Sequence, residues 1–122
     1  MKKIYLDNAA TTPMDVEVID LMQQSMLANF GNPSSTHQFG RAAKSSVETA
    51  RKNIAQHFKV TASEIIFTAG GTEADNLILQ NAVTNLGVQT IITSKIEHHA
   101  VLHTIEYLKE TYQIDVVYVS VD

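Results

Sequence analysis

The stretch Glu64-Ile-Ile-Phe-Thr-Ala-Gly-Gly-Thr72 decides the fold class of this 122-residue chain. Its apolar first half predicts a buried β-strand over 64–68, and its glycines predict a tight turn at 69–71. The residues from Thr72 to Leu86 predict a helix, with one face formed by Ala74, Leu77, Ile78, Asn81 and Ala82. A strand, a turn and a helix in this order begin a βαβ unit.

The same pattern continues towards the end of the chain. Thr90-Ile-Ile-Thr-Ser94 predicts a strand, His98 to Tyr112 predicts a helix, and Val116-Val-Tyr-Val-Ser-Val121 predicts another strand. Strands that alternate with helices of this length pair in parallel, because only a crossover of a dozen or more residues returns the chain in the same direction. We therefore predict an α/β fold with a mostly parallel sheet flanked by helices.

The residues before this pattern predict a short strand and two more helices. Lys3 to Leu6 indicates the strand, Thr12-Pro13 opens a helix that continues to about Ala28, and turn-forming residues at 29–36 predict an ordered loop. The second helix covers 37–58, with a predicted buried stripe of Ala43, Val47, Ala50 and Ile54. We interpret Met14, Met22 and Met26 as core residues. We also predict that 1–15 belongs to a different layer from 16–122.

The last predicted strand suggests that the chain is part of a longer protein. Val116 to Val121 is strongly apolar, and only Asp122 follows it. A parallel strand needs helices over both faces, and no helix follows this one. We therefore expect the chain to be truncated.

The composition excludes several classes of protein. The chain has 44% hydrophobic residues and a net charge of −4, which is typical of a water-soluble globular domain. The acidic balance argues against nucleic acid as a partner, since phosphate backbones require a basic surface. The absence of cysteine excludes disulfides and a thiol nucleophile within these residues. No signal peptide or run of about 18 apolar residues is present, so we expect a cytoplasmic protein without a membrane span.

The glycine turn at Ala69-Gly70-Gly71 has two interpretations. The amides and the dipole of the following helix favour an anion, the glycines allow close approach, and Thr72 adds a hydroxyl donor, which together predict a phosphate site. Alternatively, the turn only joins a strand to a helix, with Thr72 as N-cap and Glu73 as a first-turn acid. The sequence contains neither G-x-G-x-x-G nor G-K-[ST], so a dinucleotide fold and a P-loop are not supported.

A group of histidines follows the Thr90–Ser94 strand. His98 at the mouth of a parallel sheet can act as acid or base, or can lie against a flat ligand. His99 and His103 have the spacing of a two-histidine zinc site, but Ala100 replaces the expected glutamate and no third ligand is evident. We therefore predict no metal site, and we interpret Lys95 as a solvated surface residue.

Five motifs in order resemble the cysteine desulfurases of the NifS/IscS type, within the class V aminotransferase superfamily. These motifs are Tyr5-Leu-Asp-Asn-Ala-Ala-Thr-Thr-Pro13, Phe30-Gly-Asn-Pro-Ser-Ser35, His37-Gln-Phe-Gly40, Phe67-Thr-Ala-Gly-Gly-Thr-Glu-Ala-Asp-Asn76 and Ser94-Lys-Ile-Glu-His-His-Ala-Val101. They cover nearly the whole chain at compatible spacing, and they match the N-terminal part of that family.

The resemblance implies a pyridoxal-phosphate enzyme of fold type I, with residues 16–122 in its large domain. Such enzymes are homodimers that take sulfur from L-cysteine as an enzyme persulfide, release L-alanine and pass the sulfur to an acceptor or scaffold protein for iron–sulfur clusters or thio-cofactors. By this resemblance Gly71 and Thr72 bind the cofactor phosphate, and His98 stacks on the pyridine ring and assists proton transfer. Asn8, Ala9 and Ala10 lie in a loop near the substrate entrance.

The chain lacks two groups that this chemistry requires. Lys95 does not match the lysine that holds the cofactor, and there is no cysteine to carry a persulfide. We therefore expect the 122 residues alone to be inactive. Two other interpretations stay open, namely another class V enzyme, such as a selenocysteine lyase or a transaminase, and a non-catalytic module that binds phosphate or pyridoxal phosphate.

Overall fold

The computed structural model of the protein describes residues 3–121, which fall into two compact units, 3–65 and 66–121. The first unit contains α1 (Val16–Ala28), α2 (Gln38–Phe58) and a 3-10 turn (Ala62–Glu64). The second contains α3 (Gly71–Thr84), β1 (Thr90–Ser94), α4 (His99–Tyr112) and β2 (Asp115–Val119). The division between 1–15 and 16–122 stays a prediction. No helix within 3–121 has the length and apolar character needed to cross a membrane.

The second unit contains the predicted parallel pair. Strand β1 lies beside β2 in parallel, from Thr90 opposite Asp115 to Ser94 opposite Val119. Helix α4 provides the crossover between them. The α/β prediction is therefore confirmed, with the last strand ending at Val119 and not at Val121.

Two predicted strands are absent from the described residues. Lys3–Leu6 has no regular secondary structure, and the stretch 64–68 begins at the end of the 3-10 turn and continues as extended chain. Ile66 is 67% exposed, so this stretch is not the buried strand that its composition predicts. A strand needs a neighbour for its backbone hydrogen bonds, and the only strand pairing among residues 3–121 is that of β1 with β2.

The core of the second unit lies between the helices and the sheet. Val83, Leu108 and Ile114 are buried together, and Leu79, Ile91 and Val116 pack against them. Helix α3 packs on α4 through the side that carries Leu79 and Val83. The predicted face of α3 is therefore wrong, since Leu77, Ile78 and Asn81 on that face are exposed.

In the first unit, α1 begins three residues later than predicted. The Asp15 carboxylate caps the helix by accepting from the Glu17 amide at 2.9 Å, whereas Pro13 lies outside it. No residue of α1 is buried, and Met14, Met22 and Met26 are exposed. The prediction that these methionines form a core is wrong for the described residues, because no other side chains cover them there.

Helix α2 begins within one residue of its predicted start. His37 is its N-cap, with Nδ1 accepting from the Gly40 amide at 3.3 Å. Gly40 fits closely against the preceding loop, since a Cβ there would lie 2.4 Å from the Ser35 carbonyl oxygen. The loop over 29–36 is thus held against the first turn of α2.

The predicted buried stripe of α2 is only partly present. Ala43 is buried, whereas Val47, Ala50 and Ile54 are exposed.

The core of the second unit predicts a large effect of truncating Leu108. This side chain is fully buried (0% exposed), so Leu108→Ala leaves a cavity and should lower the free energy of unfolding by about 2–5 kcal/mol. Leu86→Ala removes the same atoms from a 72% exposed side chain and should change it by about 0.5 kcal/mol or less. Urea unfolding of both variants measures the difference, and equal effects would contradict this core.

The 3-10 turn predicts a shifted titration of Glu64. The backbone amide of Thr61 and then its hydroxyl donate to Glu64 Oε2, both at 2.7 Å, and they lower the pKa of this carboxyl below 4.5. The stabilisation from these bonds is present above about pH 4.5 and is lost as the pH falls through the lowered folded pKa. A carboxyl-carbon NMR titration in the folded and urea-unfolded chain tests this. Equal pKa values in the two states would refute it.

Candidate functional site

The N-terminus of α3 presents free backbone donors. Gly70 is the N-cap, with φ 170° and ψ 179°, and no side chain caps this helix end in the described structure. Thr72 lies inside the first helical turn, so the alternative that made Thr72 the N-cap is wrong. The first-turn amides of an α-helix have no acceptor within the helix. The amides of Gly71 and Thr72 are therefore available to an anion.

Glu73 fixes the bend before the helix. Its Oε2 accepts from the Ala69 amide at 2.6 Å, and the Thr68 hydroxyl donates to the Gly70 carbonyl at 3.2 Å. Glu73 is thus a first-turn acid, as the alternative interpretation of the turn predicted. Its carboxylate occupies the Ala69 amide and offsets part of the positive helix end. The Glu73 carboxylate accepts no hydrogen bond from the amides of Gly71 and Thr72.

The two glycines leave space in front of this helix end. A Cβ placed on Gly70 or on Gly71 would meet no atom of the described residues within 4 Å. Gly70, at φ 170°, has extended backbone that any residue adopts, and Gly71 is helical, so the backbone conformation itself does not require glycine at these positions. The open space, the free amides and the Thr72 hydroxyl suit a compact anion such as a phosphate ester.

His98 is the N-cap of α4. Its Nδ1 accepts from the Ala100 amide at 3.1 Å, which satisfies one of the free donors of that helix end. A neutral imidazole carries one proton, so this bond assigns the proton of neutral His98 to Nε2. Helix α4 therefore begins at His99, and the cap fixes both the tautomer and the orientation of the His98 ring.

Thr72 and His98 line the same cavity. It has a volume of about 460 Å³ and lies between α3 and α4, with the remaining lining formed by Asn76, Gln80, His99, Ala100, His103, Thr104 and Tyr107. The structure thus brings together two residues that are far apart in sequence. Gly71 precedes Thr72 directly but is not among the lining residues.

Several cavity residues did not emerge from the sequence analysis. Asn76 and Gln80 follow Thr72 at intervals of four along α3, and Thr104 follows Ala100 at the same interval along α4. Polar residues at i, i+4 and i+8 form a stripe on one helix face. This spacing indicates a polar groove. The groove was not identified from the sequence, because the helix face was assigned from the apolar residues of α3.

The predicted substrate loop forms a turn in the first unit. The amide of Ala10 donates to the Asp7 carbonyl at 3.1 Å, and the Tyr5 hydroxyl donates to the same carbonyl at 3.0 Å. Asn8, Ala9 and Ala10 are exposed. Their role at a substrate entrance stays a prediction.

His99 and His103 lie side by side on α4. Their ring centroids are 5.3 Å apart. Across residues 3–121, no group of three or more His, Cys, Asp or Glu side chains has an arrangement that holds a metal ion.

The family comparison matches nearly all of the chain. The model of the class-V aminotransferases matches residues 4–122. Among solved structures, a NifS-like protein superposes with a TM-score of 0.84 at 40% identity, covering 94% of this chain and 32% of that protein. This similarity confirms the α/β fold as one shared with NifS-like proteins.

Curated relatives match the chain over its full length. A Bacillus subtilis (strain 168) protein, named provisionally as cysteine desulfurase IscS 1, is 51% identical over 125 residues and covers 100% of this chain and 32% of its own. Cysteine desulfurase IscS of Methanosarcina thermophila is 46% identical, and the match covers 99% of this chain and 30% of that protein. Selenocysteine lyase of Bos taurus is 34% identical, and the match covers 98% of this chain and 32% of that protein. The chain therefore spans about a third of the length of these relatives.

The cap on α4 predicts different effects for two His98 variants. His98→Ala removes the acceptor for the Ala100 amide and should lower the free energy of unfolding by about 1 kcal/mol, whereas His98→Asn keeps a capping oxygen and should cost only a few tenths. His99→Ala, one residue inside the helix, is the matched control and should not destabilise the chain.

Urea unfolding measures these differences, and ¹⁵N NMR of the His98 ring reports which nitrogen carries the proton. Equal stability of the Ala and Asn variants, or a proton on Nδ1 of neutral His98, would show that the ring does not cap α4.

Proposed function

Since the chain belongs to the class-V aminotransferase family, we propose that it supplies the phosphate-binding turn and the ring-stacking histidine of a pyridoxal-phosphate-dependent cysteine desulfurase. The observation that carries this proposal is the shared cavity of Thr72 and His98, which joins an anion-binding helix end to an oriented imidazole.

Gly71 and Thr72 are the residues that would hold the cofactor phosphate. Their amides lie in the uncapped first turn of α3, and the Thr72 hydroxyl can donate a further hydrogen bond. The positive helix end favours the doubly negative ester. Gly70 and Gly71 add no side-chain atoms in front of these donors, so the phosphate can approach the backbone closely.

His98 would lie against the pyridine ring and move protons at Nε2. Its Nδ1 is already engaged by the Ala100 amide, so Nε2 is the nitrogen that can give or take a proton. Pyridoxal phosphate, when bound, supplies an electron sink for cleavage of bonds at the substrate. An imidazole held by its own helix cap keeps one orientation, as a positioned acid–base group requires.

L-cysteine is the proposed substrate. The relatives named cysteine desulfurase are more similar to the chain, at 42–51% identity, than selenocysteine lyase of Bos taurus, at 34%. The proposed reaction moves the substrate sulfur to an enzyme thiol as a persulfide, releases L-alanine, and passes the sulfur to an acceptor or scaffold protein. We propose that the complete enzyme is a homodimer. Selenocysteine is the alternative substrate.

The proposed chemistry also requires a thiol nucleophile and a lysine that holds the cofactor. The chain contains no cysteine to accept sulfur. Lys95 follows β1 directly and is exposed, and by the family resemblance it is not the lysine that would hold the cofactor. We therefore propose that this part of the enzyme binds and orients the cofactor, and that the nucleophile reaches the substrate from another part.

Pyridoxal-phosphate binding tests the role of the turn. Thr72→Ala should weaken binding roughly tenfold, because a hydrogen bond to a charged group is lost, and Gly71→Val should weaken it further by placing a side chain among the donors. Thr84→Ala at the far end of α3 is the matched control. Absorbance titration measures affinity for pyridoxal phosphate and for pyridoxal.

Binding of pyridoxal, which lacks the phosphate, should not respond to Thr72→Ala. Equal loss of affinity for both compounds would exclude the turn as the phosphate site. Binding of inorganic phosphate that matches that of pyridoxal phosphate would favour the simple phosphate-binding module.

A further inference from the structure

Asn76 and Thr104 connect the two helices of the cavity through their side chains. The Thr104 hydroxyl shares its one proton between Asn76 Oδ1, across the interface between α3 and α4, and the Ala100 carbonyl oxygen at 2.7 Å within α4. On the other side, Asn76 Nδ2 donates to the Thr72 carbonyl at 2.7 Å. Thr104 is buried, with 6% of its surface exposed. Asn76 is half-buried and lines the cavity.

The direction of these hydrogen bonds follows from the chemistry of the groups. The Thr72 carbonyl can only accept, so the amide nitrogen of Asn76 must face it. The carbonyl oxygen of Asn76 then faces Thr104, which has a single hydroxyl proton to donate. The orientation of the Asn76 amide is therefore determined on both sides by its neighbours.

The bridge ends at the two proposed cofactor-binding residues. On α3 it holds the backbone of Thr72. On α4 it holds the turn that contains Ala100, whose amide donates to His98 Nδ1. A path of polar contacts therefore runs from Thr72 through Asn76 to Thr104, whose shared proton also reaches the Ala100 carbonyl, and the Ala100 amide completes it at His98. This path restricts the register of the two helices, because a slip of either helix breaks the bond between Asn76 and Thr104.

We infer that Asn76 and Thr104 are positioning residues, which set the His98 ring against the phosphate-binding turn of Thr72. The inference rests on the proposed function for its ligand, pyridoxal phosphate. Neither residue is a catalytic residue. Both act on the cofactor through Thr72 and His98.

The test compares three threonine variants of similar size. Thr104→Val removes the hydroxyl and keeps the shape, Thr104→Ser keeps the hydroxyl, and Thr84→Val removes a hydroxyl that bonds only the Gln80 carbonyl within α3. The first measurement uses no ligand and records the amide NMR shifts of 71–73 in the chain. Thr104→Val should shift these resonances on the other helix, whereas Thr104→Ser and Thr84→Val should leave them in place.

The second measurement compares the affinities for inorganic phosphate and for pyridoxal phosphate. Inorganic phosphate needs only the end of α3, while pyridoxal phosphate also needs the His98 ring at the correct distance. Thr104→Val should therefore weaken pyridoxal-phosphate binding roughly tenfold and phosphate binding about twofold or less, and Thr104→Ser should restore both. General destabilisation would lower both affinities equally.

The outcomes separate the inference from the proposed function. Unchanged resonances at 71–73 in Thr104→Val, or equal losses of the two affinities, would overturn the positioning role. Shifted resonances in a chain that binds no pyridoxal phosphate would leave the bridge intact and refute the cofactor assignment.

Discussion

The packing of α3 against α4 is the constraint on which the rest of the second unit depends. Val83, Leu108 and Ile114 are buried together where the helices meet the sheet. The parallel pairing of β1 with β2 makes α4 the crossover that packs beside α3. Apolar burial provides the attraction but allows the helices to slide. The hydrogen bond between Asn76 and Thr104 favours one register, because it breaks when either helix slides along the other.

This register gives the cavity two different helix ends. At the start of α3 the amides of Gly71 and Thr72 stay open, with the bend before them held by Glu73. At the start of α4 the free donor of Ala100 is satisfied by His98. An uncapped helix end attracts an anion, whereas a capped one holds its capping side chain in a single orientation. The proposed phosphate binding follows from the uncapped end of α3, and the orientation of the His98 ring follows from the capped end of α4.

The sequence predicted the features that depend on residues close together in the chain. The limits of α2, α3 and α4 came out within two residues, because periodicity and capping are local. The strand predicted over 64–68 needed a pairing partner that the described residues do not provide. The partial burial of Leu79 in place of Ile78 depended on the direction from which α4 packs. The link from Asn76 to Thr104 spans 28 residues and depends on helix register, which no local pattern contains.

The central claim is that Thr72 and His98 bind two ends of one pyridoxal-phosphate molecule. Intermolecular NOEs between the pyridine ring of the bound cofactor and the carbon-bound ring protons of His98, recorded together with phosphate-induced shifts at the Gly71 and Thr72 amides, test this claim most directly. The account predicts both signals in a single complex. Phosphate-induced shifts at these amides without any NOE to His98 would contradict it.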